Sequence, residues 1–343
     1  MSTNRAEKKH ISTLAKQRII LGISNSIVIS IYLYSLYIVF TMSLGEINNN
    51  KNSTECHKKS NSEELQHKLV YYPEWFPINP HFLIHQRHPT PSVWGCLKST
   101  CEKNSEMACV WSHLIAFVIT AVAYYYFLHL PSEYFIREWE EKFVISFAFI
   151  GTCTCCLLST FFHTFYHYSE QAFECTLKID LCGIVVGVKG GWVAWLYYSF
   201  YCETMLRNFY LAVVFINAVG CAYSMTRSHL LREEKTKDRT RIAVFMFSLC
   251  LPGYARIFYN DGIIPAMNNG HNWTFFGFVV MIMGLYAYSE KIPESWYSGT
   301  YDHVINSHVL FHFAASICMW SVTLTLWFLR QQRLELGDTC PNS

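Results

Sequence analysis

Five residues in two distant stretches have the types and spacing to do chemistry together. Ser159 and His163 lie four apart at the end of an apolar run, so a helix presents both side chains on one face. Asp180 opens the next apolar run, and His308 and His312 repeat the four-residue spacing at the start of the last one. Imidazoles and carboxylates at the ends of membrane-length segments are costly to leave unpaired in lipid. Three imidazoles, with a carboxylate or water in the remaining position, are the ligand set of a catalytic zinc site. Zinc lowers the pKa of a bound water to about 7. Asp180 is placed to hold and deprotonate that water, and Ser159, one turn deeper than His163, to polarise a substrate carbonyl. The same residues also allow a structural zinc that pins three spans together without catalysis.

The elements that must position these residues are membrane spans. Hydrophobic residues make up 52% of the 343-residue chain and charged residues 15%, against roughly 25% charged in an ordinary soluble domain. The charges are bunched between apolar runs of about twenty residues, the length that crosses a bilayer core. Seven runs, at 112–130, 143–165, 178–201, 207–225, 242–259, 272–289 and 306–329, predict an all-α membrane protein, a seven-transmembrane helical bundle over 112–329. An extra apolar N-terminal segment at 19–44 follows a basic tail at 1–18, a hydrophilic segment runs from 45 to 111, and a tail closes the chain at 330–343. The 19–44 run is too long for the apolar stretch of a cleaved signal, so it reads as a retained membrane segment. The net charge of +2 says nothing about nucleic acid, and with no basic aromatic stripe or nucleic-acid motif in the sequence no nucleic-acid partner is expected. Half of the 14 cysteines, such as Cys153, Cys155, Cys156 and Cys182, fall inside apolar runs and read as small packing residues.

Parity brings the five residues to one membrane face. The second core run ends near His163 and the third begins near Asp180, so the two share a face. Four crossings separate the start of the third run from the start of the seventh, which returns His308 and His312 to that face. Orientation follows from the lysines and arginines: loop 226–241 carries Arg227, Arg232, Lys235, Lys237, Arg239 and Arg241, which places it inside. The core then starts in the cytosol and ends outside, with 45–111 cytosolic. Were 19–44 to span, the basic N-terminus would lie outside against the same rule, so spanning and lying at the interface both stay open for it.

An ordered series of motifs resembles the progestin and adipoQ receptor family, most closely its adiponectin-receptor branch. The series includes Pro73-Glu74-Trp75-Phe76, Glu106 followed by Trp111-Ser112-His113, and Ser159-Thr160-Phe161-Phe162-His163. It continues through Lys178-Ile179-Asp180 with Gly183, Trp195-Leu196-Tyr197-Tyr198, Ile292-Pro293-Glu294 and Ser307-His308-Val309-Leu310-Phe311-His312. The resemblance implies a seven-helix bundle with a cytosolic N-terminus and an external C-terminus. It further implies a Zn2+ ion held by His163, His308 and His312 near the cytosolic leaflet, with Asp180 reaching it through water. Members are linked to lipid metabolism and signalling, and adiponectin receptors look like ceramide amidases. The implied partners are a membrane lipid (ceramide or fatty acid), an extracellular protein or steroid ligand, and a cytosolic adaptor at 45–111. The implied setting is the plasma membrane, with the ER or Golgi as alternatives, and a non-catalytic receptor or membrane-state sensor is the alternative function.

The chain departs from the family pattern near Glu106, where threonine and asparagine are usual and Met107 and Cys109 stand here, and at Leu181, where tyrosine is usual. Lys189, near the middle of the third run, is a cation where one costs about 3 kcal/mol by insertion scales. It is expected either to be neutralised within the bundle or to bind an anionic lipid product.

Overall fold

The computed structural model describes residues 72–340 apart from 84, 233–234 and 303, and among them there are helices and no strand. The apolar segment at 19–44 and the basic tail lie outside the described residues. A short helix α1 (Val93–Ser99) precedes α2 (Met107–Leu128), α3 (Glu138–Phe165), α4 (Glu170–Ser199) and α5 (Thr204–Met225). Then come α6 (Thr236–Ser248), α7 (Leu251–Asp261), α8 (Ile263–Ala266) with a wide turn at Met267–His271, α9 (Asn272–Glu290) and α10 (Ser307–Leu336). Among the described residues six helices are long and apolar enough to cross a bilayer when Thr236–Asp261 is taken as one span. Helix α9, 19 residues long, packs along α10 beside them. Large apolar side chains such as Val118, Phe209, Phe215, Ile216, Ile282 and Met283 stand exposed on the outside of the bundle, as lipid-facing positions require.

The helix starts are written in the sequence. The Ser169 hydroxyl accepts the Ala172 amide at 3.1 Å and caps α4, and the Asn306 side chain accepts the Val309 amide at 3.0 Å and caps α10. Each such cap is worth about 1 kcal/mol. The span over α6 and α7 is broken where the Cys250 amide bonds Phe247 oxygen at 3.2 Å instead of continuing the α-helical ladder. The Met246 carbonyl so released accepts from Lys189 Nζ at 3.2 Å. Lys189 is therefore turned into the bundle, as the first of the two expectations for it has it, and caps a break in a neighbouring span.

Helices α3 and α4 run antiparallel with their backbones in near contact. A Cβ built on Gly190 would stand 2.1 Å from Phe147 oxygen, and one on Gly151 would stand 2.8 Å from Val186 oxygen. Only glycine permits that approach, which is how helices pack where no hydrophobic effect drives them together. The pairing of Thr274 with Thr325 at 2.7 Å and of Gly284 with Ala314 sets α9 antiparallel to α10. These two pairings bring the C-terminal end of α3, the first turns of α4 and the N-terminal end of α10 to one end of the bundle. At the other end a disulfide joins Cys202, after α4, to Cys340, after α10.

Residues 72–106 differ from a solvated tether. They are irregular apart from α1, as the prolines predict, yet Phe76, Arg87, Cys96, Ser99, Asn104 and Ser105 are buried. This lead-in segment packs onto the histidine end of the bundle.

Candidate metal centre

His163 sits in the last turn of α3, and His308 and His312 in the first two turns of α10. Their rings converge, with centroids 4.9 Å apart for His163 and His308, 4.7 Å for His163 and His312, and 5.0 Å for His308 and His312. His163 and His312 are 0% and 2% exposed, and His308 is half-buried. His113 of α2 stacks on His312 with centroids 4.0 Å apart.

The ring of His163 is oriented from outside the cluster. Its Nδ1 donates to Glu106 Oε2 at 2.6 Å, which fixes the tautomer and leaves Nε2 as the lone-pair atom. That Nε2 is buried with no hydrogen-bond partner, as is Nδ1 of His312. Buried imidazole nitrogens left unpaired are costly, and a metal ion supplies what each lacks. Burial pushes the Glu106 carboxyl up, and the hydrogen bond from His163 and the Arg87 charge lower it. Glu106 is thus an anionic acceptor at the edge of the cluster.

Two sets of potential ligand atoms lie within 4.8 Å of one another: Cys109, His163 and His312 in one, and Glu106, Cys109 and His308 in the other. Nitrogen and sulfur donors of this kind suit zinc. The three histidines expected from the sequence are brought together, and Cys109 and Glu106 join them from the start of α2. Among the described residues Asp180 belongs to neither set. It is buried, as is Ser159, and both line the same cavity as His308 and His312.

The cluster is held by polar groups of the lead-in segment and of the loop before α10. Buried Arg87 donates to the carbonyl of His163, to the Cys96 carbonyl at 3.3 Å and to the Ser99 hydroxyl. Burial and the Arg87 charge hold the neighbouring His167 ring at about 3, so it stays neutral. Fully buried Glu294 accepts the Ser307 amide at 2.7 Å and an Asn79 amide hydrogen at 3.2 Å, and Asn306 donates to Ser105 oxygen at 3.1 Å.

Two cavities meet at the centre. A deep one of about 900 Å3 is lined by Ser159, Asp180, His308 and His312 at one end and by apolar residues such as Trp192 and Phe278 at the other. A second, of about 1170 Å3, reaches the lead-in segment past Glu106, Tyr166 and Arg239. Asp180 and His308 line both.

A polytopic helical membrane protein with a sealed imidazole cluster at one end of its bundle is the class that fold and site define. The chain belongs to the Haemolysin-III related family, whose sequence profile matches residues 101–323, and the relatives it matches include progestin and adipoQ receptors. It is 31% identical over 249 residues to "Progestin and adipoQ receptor-like protein 1" of Caenorhabditis elegans, covering 71% of this chain and 56% of that protein. It is 30% identical over 256 residues to "Adiponectin receptor protein" of Drosophila melanogaster, covering 73% and 56%. It is 26% identical over 270 residues to "Progestin and adipoQ receptor family member 3" of Homo sapiens, covering 77% and 85%. The matched region is thus little more than half the length of the first two relatives.

Proposed function

We propose that this adiponectin-receptor-like membrane protein carries a zinc ion among His163, His308 and His312 and uses it to hydrolyse the amide of a ceramide-like lipid. The observation that carries the reading is the position of Asp180. This carboxylate lines both the deep apolar cavity, together with Ser159, His308 and His312, and the cavity toward the lead-in segment. A lipid with its acyl chain in the apolar part of the deep cavity, against Trp192 and Phe278, would place its amide against Asp180.

Bound zinc would supply Lewis acidity and a water acidic enough to react near neutral pH. Asp180 is then the general base that takes the proton from the attacking water and returns it to the leaving nitrogen. Ser159, which lines the same cavity as Asp180, would polarise the substrate carbonyl. A second reading, a receptor in which the zinc is structural, is favoured by Cys109, which adds a fourth protein donor to the cluster.

The metal end would face the cytosol. The disulfide Cys202–Cys340 at the opposite end supports this, because disulfides persist in oxidising compartments, and so does the basic loop 226–241. The test is purified protein assayed for metal and for fatty acid released from ceramide. Zinc together with turnover that Asp180→Ala abolishes while zinc is retained supports the hydrolase, whereas zinc without turnover of any amide lipid leaves the structural reading.

A further inference from the structure

We infer that Cys109 is a zinc ligand, and that with His163, His308 and His312 it closes the resting coordination sphere. The inference rests on the zinc reading above and concerns its fourth position. Cys109 is the one residue common to both sets of converging donor atoms, one with His163 and His312, the other with Glu106 and His308. The Cys109 sulfur thus lies within 4.8 Å of a donor atom of each of the three histidines, although His308 shares no set with the other two. Zn–S and Zn–N bonds of about 2.3 and 2.0–2.1 Å put tetrahedral ligands roughly 3.4–3.7 Å apart, so Cys109, His163 and His312 need to close by about 1 Å, and His308 must move toward them.

A cysteine near histidines is not in itself a site. Here the second observation is the pair of unpaired nitrogens, Nε2 of His163 and Nδ1 of His312, on rings 0% and 2% exposed. Cys109 is itself 0% exposed and is held between them by its own helix. Glu106, Cys109 and His113 follow at spacings of three and four, on one face of the start of α2. Glu106 fixes the His163 ring, His113 stacks on His312, and Cys109 packs on fully buried Val309 of α10.

When the Zn–S bond forms, the thiol proton leaves to water and no electrons change hands, so the step needs no co-reactant. Three neutral imidazoles leave zinc with its full double charge; a thiolate halves it and fills the position that water would take. The resting centre, one thiolate and three imidazoles, is then of the closed, structural kind, and hydrolysis begins only when one ligand gives way.

The test is zinc K-edge X-ray absorption on the full-length protein in detergent, wild type beside Cys109→Ser, with metal content measured on both. The expected result is one zinc per chain with one sulfur scatterer at about 2.3 Å in the wild type, and nitrogen and oxygen only in Cys109→Ser. Cobalt(II)-replaced protein should show a thiolate-to-metal charge-transfer band that the serine variant lacks. Removing a ligand should weaken zinc by about tenfold or more, since even outer-shell partners cost about 10- to 100-fold. Zinc bound without sulfur in the wild type overturns the role of Cys109 and leaves the zinc centre standing. Sulfur scattering unchanged in Cys109→Ser also overturns it, and wild type that holds no zinc overturns both readings. The wild-type spectrum decides even if the variant does not fold.

Discussion

Replacing Glu106 by alanine isolates the part of the centre that lies outside the imidazoles. The substitution removes the acceptor 2.6 Å from His163 Nδ1 and leaves that donor buried in a ring that is 0% exposed. An unsatisfied buried donor costs about 1–3 kcal/mol, with charge-assisted bonds at the upper end. Independently, outer-shell partners of metal-bound histidines are worth about 10- to 100-fold in metal affinity, which is about 1.4–2.8 kcal/mol at 1.4 kcal/mol per tenfold. The two routes agree, so Glu106→Ala should weaken zinc by about 30-fold. Glu106→Gln keeps a carbonyl oxygen to accept from Nδ1 and should lose only a few-fold. The assay is zinc retained by purified protein against a graded chelator, with exposed Glu102→Gln as control. Zinc held as tightly by the alanine variant as by wild type would refute the orienting role. A glutamine variant as weak as alanine would refute it differently, by making Glu106 a direct ligand, as its place in the second donor set permits.

Two further perturbations test the frame around the centre. Gly190→Ala puts a methyl 2.1 Å from Phe147 oxygen and 2.9 Å from its carbon, backbone against which no rotamer can yield, so it should destabilise by about 3 kcal/mol or more, the upper end of overpacking. Gly220→Ala in α5 meets nothing within 4 Å and should be neutral or stabilising by about 0.5–1 kcal/mol; equal thermal midpoints for the two variants would contradict the seam between α3 and α4. Cys340→Ser frees the thiol of Cys202, and a membrane-impermeant maleimide added to intact cells should then label it. Labelling only after permeabilisation would reverse the orientation.

The histidine set was legible because its signals survive uncertain helix ends. Spacing of four fixes which face His308 and His312 share, and parity fixes the membrane side whichever way the protein inserts. The span positions were legible from apolar length, since each run expected from 112 to 329 overlaps a described helix. Glu106 and Cys109 were not recognised as site residues because composition assigned residues up to 111 to a hydrophilic segment, whereas α2 begins at Met107. Their signal was the spacing Glu106, Cys109, His113, which reads as one face only once the helix is known to start there. Arg87 gave no such signal: it lies in a proline-punctuated stretch, and its burial comes from carbonyls of His163 and Cys96 that meet only in the folded chain. Sequence periodicity reports contacts along one element, and these contacts cross between elements.

Exposure across the centre shows where a closed coordination sphere could open. Cys109 and His163 are 0% exposed and His312 is 2%, each packed behind its own helix, so none can leave the metal without disturbing the core. His308 is half-buried, lines both cavities with Asp180, and has the ring of Tyr288 4.9 Å away on its outer side. A ligand exchanges most readily where its departure exposes the least buried surface and water can follow it. Release of His308 would therefore admit water or a lipid amide at the edge already occupied by Asp180, while Cys109, His163 and His312 kept the ion in place.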